Sequence, residues 1–111
     1  MEVTTTQLKR CDLVKATGRI DSQTAPQLAE ALEAITNAGR FKIVFDMSGV
    51  EFIASSGLRA MINTQKTCKR WNRGQMLLAG VSPRIRDAMK LVGFIPLFEF
   101  YDDASEAVGS F

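Results

Sequence analysis

The sequence predicts an α/β fold: a single mixed sheet of four to five strands with helices interspersed. Three observations carry this. Short runs of β-branched and aromatic residues alternate with longer stretches of helical periodicity, each bounded by Gly, Pro, Ser, Asn or Asp. The run Ile43-Val44-Phe45 is continuous, apolar and too short for a helix, as an inner strand requires. The 46% hydrophobic and 23% charged content of the 111 residues is ordinary for a folded domain of one core. Strands that alternate with helices pair in parallel through right-handed crossovers, so the later part of the sheet is expected to be parallel.

Residues 3–8 and 13–16 read as a hairpin around the polar Lys9-Arg10-Cys11-Asp12, and the threonines of the first strand imply an exposed face. Gly18-Arg19-Ile20-Asp21 leads into a helix expected to be capped at Thr24. Gln27 is spaced for a capping box, and Pro26 is tolerated in the first turn. Leu28, Ala31, Leu32 and Ile35 form the inner face, and Asn37-Ala38-Gly39 supplies the stop.

The next strand, 41–45, is expected to end at Asp46, with a turn at Ser48-Gly49 and apolar weight restored by Phe52 and Ile53. Ser55 or Ser56 then caps a helix from 56 to about 70. Leu58, Met61, Ile62, Gln65 and Cys68 fall on its inner face. Arg59, Asn63, Lys66, Arg70 and Arg73 make a basic stripe on the other, which fits either an acidic partner or a solvated surface. A strand at 75–79 follows. Ser82-Pro83 opens a helix lined by Ile85, Ala88, Met89 and Val92 and stopped at Gly93. A short edge strand within 97–101 precedes a last helix begun by Asp102-Asp103-Ala104-Ser105.

Several functions are excluded or disfavoured. No apolar run approaches the roughly 20 residues of a membrane span, and MEVTTTQLKRCD lacks the order of a secretory signal, so a cytoplasmic protein without membrane insertion is expected. A net charge of +2 without aromatic interleaving argues against nucleic-acid binding. The sequence contains no histidine, which removes the usual base for an activated serine and the commonest metal ligand. ASSGL is not a nucleophile elbow, so no enzyme, metal or cofactor is expected. Cys11 and Cys68 read as reduced thiols.

The stretch that remains is FDMSGVEFIASSGL, which places a serine hydroxyl at a helix N-terminus. Unpaired N–H groups and the positive end of the helix dipole stabilise an anionic group there; a plain capping role is the alternative. With GRID at 18–21, this stretch at 45–58 and SPRIRDAMKLVGF at 82–94, the chain resembles the STAS domain family over nearly its whole length. It is most similar in pattern to the free-standing bacterial anti-sigma factor antagonists.

The resemblance implies one STAS domain, 1–111. It also implies an anti-sigma factor partner that is a serine kinase of the histidine-kinase-like ATPase fold. In such a system the unphosphorylated antagonist binds that partner and frees the sigma factor. Phosphorylation switches binding off, and a PP2C-type phosphatase restores it. Carried over, Ser55 matches the phosphoacceptor, Asp21 an aspartate close to it, and Ser56, Gly57 and Leu58 the rest of the motif. Asp46, where the strand enters the loop, and Arg59 complete the expected partner surface. Many phosphorylated members have an acidic residue just before the serine; here it is Ala54. That departure sustains a second reading, a STAS subunit or scaffold that binds its partner constitutively.

Overall fold

The hairpin expected at the N-terminus forms between β1 (Glu2–Gln7) and β2 (Asp12–Ile20), closed by a Leu8 N–H to Cys11 carbonyl bond of 2.8 Å. The computed structural model describes residues 1–111. After β2 come α1 (Ala25–Asn37), β3 (Lys42–Ile53), α2 (Ser55–Lys69), β4 (Gln75–Ala79), α3 (Pro83–Leu91), β5 (Glu99–Tyr101) and α4 (Ala104–Gly109). The five strands lie in chain order, with β1 antiparallel to β2 and every later neighbour parallel, as the alternation predicts.

Side-chain alternation along the central strands builds two cores of unequal size. Ile43, Phe45 and Met47 point to the face covered by α1, α2 and α3, where they meet Leu28, Leu32, Met61, Ile85 and Met89, all buried. Val44, Leu77 and Ala79 point to the other face, which the short α4 covers through Ala107 and Val108 together with Leu8 and Cys11 of the β1–β2 turn and Phe111. Gln65 is the one amide in the larger core. Its Nε2 donates to the carbonyls of Met76 (3.2 Å) and Leu97 (2.9 Å), while its Oε1 accepts from the Met76 N–H at 2.7 Å. Three bonds offset the cost of burying the amide and tie α2 to β4 and the turn before β5. Both cysteines are free and buried, and burial pushes the Cys68 thiol up to about 11.

The largest departure from expectation is β3. It does not stop at Asp46 or turn at Ser48-Gly49, but runs on to Ile53. The polar and glycine residues mark irregularities in a continuous strand. Lys15 pairs with Asp46 and Thr17 with Gly49, then Gly18 pairs with Val50 and Arg19 with Phe52, so β3 carries an extra residue at each step. These are bulges, and the same residues that suggest a turn are those that tolerate one. At the first, the Asp46 carboxylate accepts from the Ser48 N–H at 3.0 Å. A Cβ on Gly49 would lie 2.6 Å from the Thr17 methyl, so the close approach of β2 demands glycine.

Two caps also differ. Thr24 sits at the α1 N-cap, yet its hydroxyl makes no cap bond and the box with Gln27 does not form. The hydroxyl instead donates to the Arg19 carbonyl (2.9 Å) and accepts from the Asp21 N–H (2.9 Å), while the Asp21 Oδ1 accepts from the N–H groups of Gln23 and Thr24 just ahead of the helix. The N-cap of α2 is Ala54, which leaves both serines inside the helix and uninvolved in capping. Ser82 and Asp103 do cap α3 and α4, accepting from the N–H groups of Ile85 and Glu106. Val92, expected on the inner face of α3, is 53% exposed, because the helix ends at Leu91 and the chain turns through Gly93 at φ +76°.

Candidate functional site

Two strand ends and two helix starts meet at the carboxyl edge of the parallel sheet. The last rung pairs Ile20 with Ile53, and one residue further the Ala54 N–H donates to the Ile20 carbonyl at 2.7 Å. Asp21 and Ser55 therefore leave adjacent strands from neighbouring positions. This is the edge of a parallel sheet where loops commonly bind ligands and partners.

Asp21 is fixed by its own loop. Its Oδ1 accepts from the N–H groups of Gln23 (3.0 Å) and Thr24 (3.1 Å). Those two bonds, Gln23 first, hold the carboxyl below the usual carboxylate range, with the Thr24 hydroxyl and the Arg19 charge adding to the effect. Beside it, the Arg19 guanidinium stacks over the Phe52 ring, 4.3 Å from its centroid, and Phe52 is 37% exposed. The edge thus presents a fixed anion, a fixed cation and an aromatic ring.

The two serines have different surroundings. Ser55, the first residue of α2, is exposed. Ser56 turns its Oγ into the protein, where it is buried without a hydrogen-bond partner, the sole such side-chain atom in the structure. Only Ser55 offers a hydroxyl to another molecule. The first N–H groups of the helix have no carbonyl within it, and no acidic residue stands in the first turn to offset the dipole.

Gly57 and Leu58 face inward. A Cβ on Gly57 would lie 2.6 Å from Ile20 Cγ2 and 2.8 Å from Ile53 Cγ1, so the glycine lets α2 start hard against both strand ends. Gly57 therefore seats the helix on the strand ends. Leu58 is buried and floors a groove of about 250 Å³ that runs from Ser55 past Arg59 and Lys66 to Val92 and Phe94. Arg59 is exposed on the groove wall, one helical turn from Ser55. Asp46 is not part of this arrangement. It pairs with Ala79 well back along β3, on the order of 20 Å from the strand end at about 3.3 Å per residue.

Sequence reasoning missed Phe52, Val92 and Phe94. Phe52 reads as core because it follows an apparent turn, and Val92 continues the α3 periodicity. The signal available for Val92 was Gly93, whose left-handed backbone ends the helix and swings the preceding residue outward.

The sequence and fold place these features in a known setting. The family model of the STAS domain matches residues 2–107. The chain is 32% identical over 90 residues to an anti-sigma-B factor antagonist of Staphylococcus aureus, covering 81% of this chain and 82% of that protein. It is 27% identical over 94 residues to BtrV of Bordetella bronchiseptica, named as an anti-sigma factor antagonist, covering 85% and 80%. The crystal structure of an anti-sigma factor antagonist from Mycobacterium paratuberculosis superposes with a TM-score of 0.87 at 26% identity, over 98% of this chain and 92% of that one. With a matching family model across nearly its whole length, this five-stranded mixed α/β chain belongs to the STAS domain family.

Proposed function

We propose that this chain is a cytoplasmic anti-sigma factor antagonist, controlled by phosphorylation of Ser55. The unphosphorylated protein binds an anti-sigma factor that is also a serine kinase of the histidine-kinase-like ATPase fold, and so releases the sigma factor. The kinase then phosphorylates Ser55, and a PP2C-type phosphatase reverses the modification. The observation that carries this reading is the contrast between the paired serines: Ser55 is exposed at the helix start while the Ser56 Oγ is buried.

The charge logic supports a switch that acts at the interface. A phosphoserine brings about −1.5 to −2 charges, which the N-terminus of α2 accommodates with no acidic neighbour in its first turn. The fold is left intact. The partner, by contrast, meets a new dianion beside Asp21 and against the groove, and desolvation plus like charge weakens the contact. Arg59, Leu58 and the exposed Val92 make the rest of that surface. Our assignment gives Ser56 and Gly57 supporting roles, and gives Asp46 none at the contact.

Ala54 favours a second reading, constitutive binding without the switch, because it removes the carboxylate that precedes the serine in many phosphorylated relatives. Intact-mass analysis after incubation with ATP and each candidate kinase separates the two. One added phosphate mapped to Ser55 is expected, and an unmodified chain that still binds its partner would favour the constitutive module. Titration of Ser55→Ala, Ser55→Asp and the phosphorylated protein against the partner should give falling affinity in that order. A change of about 5- to 150-fold is the usual size of such coupling.

A further inference from the structure

A second site lies at the opposite edge of the sheet, where three connections converge. The β1–β2 turn brings Arg10 and Asp12, the α1–β3 loop brings Arg40, Phe41 and Lys42, and the α2–β4 loop brings Arg73. Together they line an open cavity of about 210 Å³. Four cations face one carboxylate there, in a chain whose net charge is only +2. That carboxylate, Asp12, is already engaged by the Arg40 guanidinium in the only ion pair of the structure. Lys42 and Arg73 have no carboxylate partner.

Two of the guanidiniums are held in place before any ligand arrives. Arg40 Nη2 donates to the carbonyls of Leu8 (2.8 Å) and Cys11 (3.3 Å). Arg73 Nε donates to the Arg70 carbonyl and its Nη2 to that of Thr67, both at 3.1 Å, and its guanidinium stacks 3.7 Å from the Phe41 centroid. The loop that carries Arg73 is also strained. Trp71 and Asn72 are successive non-glycine residues in the left-handed region, at φ 62° and 55°. Such a conformation persists only where surrounding contacts impose it, and it concentrates at ligand clamps. Gly74 locks the same loop to its neighbour: a Cβ there would lie 2.3 Å from the Phe41 carbonyl oxygen.

Arg40 and Arg73 each donate internally through Nε and Nη2 and keep Nη1 free, and these Nη1 groups with the unbonded Lys42 ammonium around a small concavity suit a tetrahedral oxyanion, the ordering of both guanidiniums lowering the entropy cost of binding. At about 210 Å³ the cavity is smaller than the roughly 300–1,000 Å³ of pockets that enclose a drug-sized ligand, a size suited to a small anion or to one charged group of a larger ligand. We propose that this cavity binds phosphate-class oxyanions. The site is independent of the Ser55 switch and lies at the other end of β3.

The test uses the intact chain at constant ionic strength, titrated with pyrophosphate and, separately, with ATP. Trp71 is the only tryptophan, is 76% exposed and sits two residues from Arg73, so its fluorescence reports directly on the loop. Saturable quenching or enhancement is expected, with amide shifts centred on Gly39, Lys42 and Gly74. Lys42→Gln and Arg73→Gln should each weaken binding about tenfold or more. Lys42 is exposed and without a hydrogen-bond partner, so its variant keeps the test valid if loss of Arg73 unsettles the loop. Pyrophosphate equal to or tighter than ATP identifies a free oxyanion as the ligand; tighter ATP identifies a nucleotide held by its phosphates. No saturable change at millimolar pyrophosphate, shifts confined to Ser55 through Leu58, or undiminished binding by both variants would overturn the proposal.

Discussion

The two halves of β3 obey different rules. From Ile43 to Asp46 the strand has a partner on each side, β2 and β4, in unbroken register, and Ile43, Val44 and Phe45 are fully buried. From Met47 to Ile53 only β2 remains, the register slips twice, and Glu51 and Phe52 are exposed. The first half stabilises the fold. The second bends and ends so that Ala54, Ser55 and Asp21 come together. A parallel sheet binds at its carboxyl edge because its strands stop being a ladder there, and the bulges show how one strand makes that change.

The sharpest way to break this comparison is to truncate an aromatic ring in each half. Phe45→Ala should cost about 3–5 kcal/mol, as deletion of a large, fully buried side chain usually does, and threatens folding outright. Phe52→Ala should cost less than about 1 kcal/mol, because its ring is already in part solvated and packs chiefly on Arg19. Its effect should fall on partner affinity instead. Urea melts beside a binding titration decide, and similar stability losses for both would erase the distinction.

Gly57 probes the junction itself. Gly57→Val should lose about 1–3 kcal/mol, since its Cβ would collide with Ile20 and Ile53 at the very ends of the paired strands. The loss should appear in the isolated protein. A variant that melts like the parent yet fails to bind would return Gly57 to the contact surface.

A smaller change should add stability. Because the N-cap of α2 is an alanine, Ala54→Asp supplies the acceptor that the helix lacks and should gain about 1 kcal/mol. By the same logic Ser55→Ala should leave stability within about 0.5 kcal/mol, as no cap is lost. Ala54→Asp also restores the acidic residue before the serine. If the proposed kinase uses that carboxylate, this variant should be phosphorylated at Ser55 faster than the parent.

Much of this architecture was legible because it follows from periodicity. The hairpin, the mixed sheet, the strand at Gln75–Ala79 and the Ser82-Pro83 helix start all rest on local patterns that tertiary structure left unopposed. Asp46, Ser48 and Gly49 misled for a physical reason: a turn and a bulge call for the same small, polar or glycine residues, and only the presence of β2 alongside decides between them. The caps expected for α1 and α2 failed likewise. Ser55 and Ser56 are good capping residues, but the helix begins one residue earlier, where the Ala54 N–H is held by Ile20. The motif placed Ser55 correctly at the helix start, and Gly93 was a local signal for the exposure of Val92, while the exposure of Phe52 depends on the pairing of β3 with β2, which no local window contains.

The smallest expected effect concerns Asp21, and its sign follows from the hydrogen bonds it accepts. The N–H groups of Gln23 and Thr24 favour the ionised carboxylate, so the folded protein holds Asp21 below its ordinary range. A group with a depressed folded pKa contributes stability above its unfolded value, about 3.9 for aspartate, and that contribution is lost as pH falls through the folded value. The midpoint of urea unfolding should therefore drop on acidification below about pH 4, and Asp21→Asn should flatten that part of the profile. Other carboxylates titrate in the same window, so the informative quantity is the difference between the two profiles. Because the loop is solvent-accessible and its bonds are local, the difference should be small beside the loss from Phe45→Ala. Identical acid limbs would mean that Asp21 is not held by these bonds in solution, and the anion beside Ser55 would then be free to move toward a partner.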